Sequence, residues 1–303
     1  MSALTKDQHE GSLRDSRKLP RTLCQPPGGT KSCGACCGMY NQRDESSHVA
    51  LLSRLVQRTH AYLNEVDIHE TSTLQDFRQR HEPAPEMKLL DGLPSCPFLG
   101  LLDADDTRLQ GEEPVAYAST LRVGCMVHPF QNDGVDGRDC GVYDRFICED
   151  YLCAAHDVMR HEEKWLVLTA VKDSYLYGLV VTDTRFVREL FECTADLNGM
   201  YPPFRVLTRL ESIEAASSYF ELKRDWPFRA SVDGIFGQVV PLQDLDTDRR
   251  PGPSESLGVE PDETESILRC LGTSVDSLEQ LEQARALVQE RIQAFARATE
   301  LEV

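Results

Sequence analysis

The sequence predicts a mostly α-helical protein that contains one irregular, loop-rich region. Apolar residues recur at helical spacing over residues 49–66 and again over residues 165–179, and both patterns predict amphipathic helices. Residues 90–155 are different, because they are rich in Gly, Pro, Asp and Cys and hold only short apolar runs. This composition predicts loops and short strands. The predicted fold class is therefore α plus irregular.

Changes in composition divide the chain into five segments. Asp183 is placed to cap a helix, another helix is expected over residues 204–223, and a last helix should begin near Ser274. The predicted segments are a disordered tail (1–30), a cysteine-rich region (31–155), a helical region that packs on it (156–242), an acidic linker (243–263) and C-terminal helices (264–303).

Composition and charge exclude several classes of function. The 303-residue chain has a formal net charge of -18, which repels phosphate backbones, so we expect no nucleic-acid partner. No apolar run approaches the roughly 20 residues of a membrane helix, so we expect no membrane partner. The first residues lack the apolar stretch of a secretory signal. These observations indicate a cytoplasmic protein.

Cysteine placement carries the clearest signal for function. The chain has 11 cysteines, and disulfides are rare in a reducing compartment. Small thiols buried only for packing would not cluster, yet eight of the 11 fall between residues 33 and 153. We therefore expect this region to be a cysteine-ligated metal domain. The candidate metal ligands are Cys33, Cys36, Cys37, Cys96, Cys125, Cys140, Cys148 and Cys153.

The spacing of the first cysteines has a physical logic. Cys33 and Cys36 can turn both sulfurs toward one ion in a tight loop, and Gly34 and Gly38 would allow positive φ there. Backbone N–H groups of such a loop can point at the sulfurs. Cys36 and Cys37 would face opposite sides of an extended chain, so one of them is expected to serve a different ion or to lie outside the ligand set. Eight thiols suffice for two four-coordinate sites, or for one site with spare thiols.

Sulfur ligands select zinc or an iron–sulfur cluster over hard cations such as magnesium. Four thiolates leave a local charge of about -2 around either group. Lys31, Arg138 and Arg145 lie beside the cysteines, as balancing charges or as ordinary surface charges. Cys24 is equally well interpreted as a free thiol or as a ligand. His128 is either a ligand or an ordinary loop residue.

Three cysteine motifs follow one another along the chain. They are Cys-x2-Cys-Cys from Cys33, Cys-Pro-Phe-Leu from Cys96, and Cys-x2-Tyr-x-Arg-x2-Cys-x4-Cys from Cys140. Their order resembles the YkgJ or CxxCxxCC family, described as zinc- or iron-chelating proteins, over about residues 30–155. The resemblance implies ligand roles for Cys33, Cys36, Cys37, Cys96, Cys140, Cys148 and Cys153.

Departures from the family pattern leave the number of metal sites open. Thr30 stands where the family name implies a further cysteine, and Phe146 stands where the family often has proline. The stretch that holds Cys125 and His128 looks like an addition found in only some relatives.

Three functions are compatible with these motifs. The first is a metal-binding protein that carries an iron–sulfur cluster in a redox or cluster-assisted role. The second is a structural zinc module, with the C-terminal helices as the surface for a protein partner. The third is a protein-modifying methyltransferase, because one family member is a flagellin lysine methylase that resembles this chain through the cysteine motifs alone. The sequence has no Walker-type loop, G-x-G-x-x-G, G-x-S-x-G or H-E-x-x-H, and it indicates no catalytic residue.

Overall fold

The computed structural model describes residues 23–24, 31–41, 48–88, 94–150, 153–229 and 252–301. Helices make up 58% of these residues and strands 3%, so the predicted fold class is confirmed. None of the described helices is long and apolar enough to cross a membrane. The described residues form two compact units, one comprising those up to 153 with 173–178, the other comprising 154–172 with those from 179 onward.

The first unit contains short elements around one long helix. Their bounds are α1 (His48–Glu65), α2 (Thr71–His81), β1 (Leu99–Leu101), α3 (Asp106–Leu109), α4 (Pro114–Ser119), β2 (Val123–Cys125) and α5 (Arg145–Asp150).

Helix α1 forms because one of its faces is apolar. Leu51, Leu55, Thr59 and Tyr62 are buried and recur every three or four residues. The helix predicted over residues 49–66 is therefore confirmed. Arg58 lies on the same buried face, and the charge of its guanidinium bears on the site described below.

Strands β1 and β2 form a two-stranded antiparallel ladder in which Leu99 lies opposite Cys125 and Gly100 opposite Gly124. Helix α1 packs on this ladder, and the N–H of Leu101 donates to the Thr59 hydroxyl at 2.9 Å. A Cβ at Gly100 would lie 2.8 Å from the same hydroxyl oxygen. Glycine at this position is what lets helix and ladder approach so closely.

An aromatic cluster fills the space between α1, α2 and the ladder. The rings of Phe77 and Phe98 stack with centroids 5.5 Å apart, and Tyr62 meets Phe77 edge-on at 5.7 Å. Phe77 and Phe98 are fully buried. Cys96, Cys125 and Cys140 pack against this cluster, so the cysteine region supplies part of its own apolar core.

Residues 173–178 complete the first unit from a distant part of the sequence. The Ser174 hydroxyl accepts from the N–H groups of Ser32 (3.1 Å) and Val123 (3.2 Å). The Tyr177 hydroxyl donates to the carbonyl of Leu23 at 2.7 Å. These contacts hold in place the backbone segments on which Cys24 and Cys33 lie.

The second unit is built from helices. Its elements are α6 (Ala155–Val158), α7 (His161–Ala170), the later part of α8 (Ser174–Thr182), α9 (Thr184–Asn198), α10 (Phe204–Leu207), α11 (Leu210–Phe220), α12 (Leu222–Asp225), α13 (Pro253–Ser256), α14 (Glu265–Cys270) and α15 (Leu278–Ala298). Helix α15 packs on α9 and α11.

Several helix boundaries differ from those expected. A continuous helix over 165–179 is wrong, because α7 ends at Ala170 and α8 begins at Ser174. The Asp173 carboxylate accepts from the N–H of Leu176 at 2.9 Å and starts the new helix. The helix expected over 204–223 is likewise divided into α10, α11 and α12. The last helix begins at Leu278, where Ser277 is the N-cap.

The predicted tail and linker lie partly outside the described residues, which include only 23–24 of the tail and 252–263 of the linker. Residues 252–263 hold α13, in which Ser254 is fully buried. Arg285 of α15 binds this segment through the Asp262 carboxylate at 3.0 Å and the Glu260 carbonyl at 3.0 Å. The predicted divisions of the chain, including packing of 156–242 on the cysteine region, stay predictions.

A buried ion pair lies at the start of α9. Lys223 and Asp183 are 4% and 5% exposed, and the Lys223 ammonium donates to the Asp183 carboxylate and to the Cys270 carbonyl at 2.5 Å. Asp183 also caps α9 by accepting from the N–H of Phe186 at 3.0 Å, as the sequence predicts. One carboxylate therefore serves a helix cap and a buried cation together.

Replacing Asp183 with Ala should lower the free energy of unfolding by about 3–5 kcal/mol, because it leaves the Lys223 charge buried without its counter-ion. Denaturant titration measures this change. Asp196→Ala, at an exposed position of the same helix, is the matched control and should change stability by less than about 0.5 kcal/mol. Equal losses of stability from the two substitutions would contradict the assignment of Asp183 as the counter-ion of Lys223.

Candidate metal centre

The first cysteine motif begins at Cys33 and continues into a run of turns over residues 35–40. The N–H of Cys37 donates to the Gly34 carbonyl at 3.1 Å, and that of Gly38 donates to the Ala35 carbonyl at 2.9 Å. Gly38 has a φ of 81°, as expected, but Gly34 does not lie in the left-handed region. Glycine is needed at position 34 for space instead, since a Cβ there would lie 3.1 Å from Leu99 Cδ1.

The first and second motifs are joined through their backbones. The N–H of Cys96 donates to the Cys37 carbonyl at 2.9 Å. A Cβ at Gly38 would lie 2.5 Å from Ser95 Oγ and 2.6 Å from Ser95 Cα. Because the two chains touch here, no side chain fits at position 38 without displacing the second motif.

The ladder brings Cys125 to the second motif. The N–H of Leu99 donates to the Cys96 carbonyl at 3.3 Å, and Leu99 pairs with Cys125 across the strands. The following residue, Met126, donates its N–H to the Phe98 carbonyl at 2.9 Å. Cys125 is outside the motifs that carry the family resemblance, yet it lies beside Cys96.

Helix α2 holds the third motif. The Arg78 guanidinium donates to the carbonyls of Gly141 (2.5 Å) and Cys140 (3.4 Å). A Cβ at Gly141 would lie 3.7 Å from the Cys96 sulfur, so the third motif lies next to the second. Cys148 lies on α5, where its N–H donates to the Asp144 carbonyl at 3.1 Å.

Backbone N–H groups point at three of the sulfurs. Burial raises the pKa of the Cys33, Cys96 and Cys125 thiols, and an N–H···S hydrogen bond from the residue two positions later acts in the opposite direction in each case. The donors are Ala35 to Cys33, Phe98 to Cys96 and Val127 to Cys125, and Cys96 also accepts from the N–H of Val142. Such donors favour thiolate, which is the form that binds metal.

The thiols also act on one another. Burial raises the pKa of Cys36 to about 12, and the neighbouring charges that raise it further are Cys153 and Cys24. Cys24, Cys36 and Cys153 also raise the pKa of Cys33. These four thiols form the first set: Cys24, Cys33, Cys36 and Cys153.

The second set surrounds Cys37. Burial raises the pKa of Cys37 well above its usual value, with further increases from Cys96, Cys125, Cys36 and Cys148. Burial raises the pKa of Cys125 to about 12, and Cys96 and Cys148 add to it. We call Cys37, Cys96, Cys125 and Cys148 the second set, and Cys36 of the first set also acts on Cys37.

Cys140 has a different environment. Burial raises the pKa of its thiol, the Asp139 carboxylate raises it further and the Arg78 guanidinium lowers it. Its side chain packs on the aromatic cluster of the first unit. Cys96 and Cys125 pack on the same cluster, so packing does not distinguish Cys140 from them.

Arginine side chains place positive charge beside the second set. Arg58, only 9% exposed, donates to the carbonyls of Cys96 (3.4 Å) and Leu99 (3.3 Å), and burial lowers its pKa to about 10. Arg138 is 3% exposed, pairs with Asp136 at 2.6 Å and lowers the pKa of Cys125 against the larger effect of burial.

Sequence reasoning identified Arg138 but missed Arg58. The signal was present, since Arg58 interrupts the apolar face of α1 between Leu55 and Tyr62. A charge on the buried face of a helix points to a partner in the interior.

The other basic and histidine candidates contact acidic, aromatic or backbone groups. Arg145 is half-exposed and pairs with Asp139 at 3.7 Å. Lys31 places its ammonium 5.6 Å from the centre of the Tyr177 ring. His128 accepts from the N–H of Phe130 through Nδ1 at 3.1 Å, which is a contact within its own loop.

Within the part of the chain that the structure describes, no three His, Cys, Asp or Glu side chains lie close enough together to hold a metal ion. The thiols of each set are near enough to influence one another but do not surround a common point. The chemistry of the donors fits a soft metal nonetheless, since they are thiols, partly buried except for the exposed Cys148, with N–H···S donors and nearby arginines.

No protein-family model matches the chain, and neither the curated proteins nor the solved structures contain a match. The resemblance of the cysteine motifs to the YkgJ family therefore stays a prediction.

Replacing Gly38 with Ala should separate Cys37 from Cys96 and lower the free energy of unfolding by more than the roughly 1–2 kcal/mol that positive φ costs an L-residue. Gly134→Ala is the control, because Gly134 has a φ of 93° and no heavy atom within 4 Å of its would-be Cβ. Denaturant titration compares the two variants. Equal losses of unfolding free energy in the two variants would show that the close approach of Ser95 does not restrict the side chain at position 38.

Proposed function

We propose that this chain is a metal-binding protein that carries an iron–sulfur cluster through its clustered cysteines, with a redox or cluster-assisted role in the cytoplasm. One observation carries the proposal. Cysteines that lie far apart in the sequence converge in the first unit, where the N–H of Cys96 donates to the Cys37 carbonyl at 2.9 Å and where Cys96, Cys125 and Cys140 pack on one aromatic cluster. Convergence of this kind is not needed to fill a core with small apolar side chains.

The surroundings of the thiols support an iron–sulfur cluster. Hydrogen bonds to sulfur and a low-dielectric environment are the means by which proteins tune such clusters. Here the N–H groups of Ala35, Phe98 and Val127 donate to sulfur. Arg58 and Arg138 would offset the negative charge that four thiolates bring. A bound cluster would supply one-electron redox chemistry at this point.

A structural zinc ion is the second candidate. The thiols lie on tight turns and on short elements such as β2 (Val123–Cys125), and a tetrahedral four-thiolate ion would hold such segments together. Zinc and an iron–sulfur cluster share these ligands, so the identity of the metal is decided by its chemistry in solution.

Protein purified without oxygen should be brown and should contain iron together with acid-labile sulfide, because cysteine thiolates are the ligands that hold iron–sulfur clusters. Elemental analysis and the visible spectrum measure this. A colourless protein with stoichiometric zinc and no iron would replace the cluster with the structural zinc ion. A protein without either metal would overturn the proposal.

Replacing Cys36 with Ser should lower the metal content and destabilise the first unit, because an incomplete ligand shell loses binding energy that is also folding energy. Cys193→Ser is the matched control, since Cys193 is also partly buried but lies on α9 in the second unit. It should leave the metal content unchanged. Equal losses from both variants, measured by elemental analysis, would contradict the location of the centre.

A further inference from the structure

We infer that the loop of residues 126–137, called here the Phe130 loop, is a docking surface for another protein. Phe130 is its anchor, and the partner is a protein surface that combines apolar side chains with lysine or arginine. Three observations carry the inference: the exposure of one aromatic ring, the order of the loop that holds the ring, and the charge of that loop. None of them involves a metal, so the inference does not rest on the proposed function.

The ring of Phe130 lies in solvent. Its side chain is 79% exposed, more than any other large apolar side chain in the described residues. An aromatic ring in water forgoes the free energy that its burial would provide. Single exposed apolar residues are nevertheless common on protein surfaces, so exposure alone does not define a docking surface. The structure of the loop is what distinguishes Phe130 from the other exposed apolar residues.

Backbone hydrogen bonds close the Phe130 loop on itself. At its base the N–H of Gly137 donates to the Val127 carbonyl at 3.1 Å, and within it the N–H of Gly134 donates to the Pro129 carbonyl at 2.9 Å. Gly134 has a φ of 93°, a conformation that glycine adopts without strain, and this lets the chain turn back. The path of the loop is therefore set by contacts within the loop.

Two side chains hold the backbone on either side of Phe130. The Asn132 amide donates to the carbonyls of Met126 at 2.8 Å and His128 at 2.9 Å. The Nδ1 of His128 accepts from the N–H of Phe130 at 3.1 Å, and the centroids of the two rings are 4.7 Å apart. An aromatic ring on a backbone held in this way loses little conformational entropy when it binds, and this is a property of an effective anchor.

The charge of the Phe130 loop indicates the chemistry of the partner. Residues 126–137 contain Asp133 and Asp136 and neither lysine nor arginine. Asp133 is exposed, whereas Asp136 pairs with the buried Arg138 at 2.6 Å. Opposite charges favour association and steer the encounter of two proteins. We therefore expect the partner to place lysine or arginine beside the apolar side chains that cover Phe130.

Charge also decides against two other occupants of this surface. Cytoplasmic membrane surfaces are negatively charged, and protein segments that lie on them are rich in lysine and arginine, which the Phe130 loop lacks. A second copy of this chain has the same formal net charge of -18, so contact between two copies brings like charges together. A basic protein surface has neither disadvantage.

The test selects peptides from a phage-displayed library of random dodecapeptides on the immobilised full-length chain. Wild-type protein should enrich peptides that contain apolar residues together with lysine or arginine. Phe130→Ser, which removes an exposed ring and should fold normally, is expected to bind an enriched peptide at least about 10-fold more weakly, because aromatic anchors carry much of the binding energy of an interface. Added salt should weaken binding to the wild type. Fluorescence anisotropy of the labelled peptide measures these affinities.

Leu278→Ser is the matched control, because Leu278 is also exposed (54%) but lies at the start of α15 in the second unit. It should bind the same peptide as tightly as the wild type. Failure to enrich basic apolar peptides, equal affinities of Phe130→Ser and wild type, or weaker binding by Leu278→Ser would overturn the inference. So would sedimentation of the wild type with phosphatidylserine–phosphatidylcholine vesicles, or its dimerisation in analytical ultracentrifugation, if Phe130→Ser abolished either.

Discussion

The hydrogen bond between the N–H of Cys96 and the carbonyl of Cys37 is the contact on which the first unit depends. It brings the first cysteine turn against the second, and it requires Gly38, whose missing side chain leaves room for Ser95. Three residues beyond Cys96 the chain enters the ladder that carries Cys125. The positions of these cysteines therefore follow from hydrogen bonds between backbone segments.

Local patterns made part of this fold predictable. The apolar face of α1 and the cap at Asp183 are signals within a few residues, and the structure contains both. The break between α7 and α8 was missed, because apolar periodicity continues through it while Asp173 starts a new helix. The partners of Cys125 could not be predicted either, since the ladder joins segments with no sequence signal for pairing.

The clustering of cysteines was visible in the sequence, but the backbone contacts that bring them together were not. Cys24, a residue whose role the motifs leave open, lies beside Cys33 because its carbonyl accepts from the Cys33 N–H at 2.8 Å. The role of Arg58 was also missed in the sequence. A buried guanidinium is costly unless carbonyls or opposite charges surround it, and here the carbonyls of Cys96 and Leu99 do so.

The first unit is not contiguous in the sequence, and this has a consequence for its synthesis. The carbonyl of Leu23 and the N–H of Ser32 find their partners on residues 173–178, which follow an excursion into the second unit. A ribosome must therefore release the chain well past Cys153 before the cysteine turns can be held in place. By then every cysteine of the unit has been synthesised. The nascent chain therefore passes through a stage in which its cysteines are present before the residues that hold them in place.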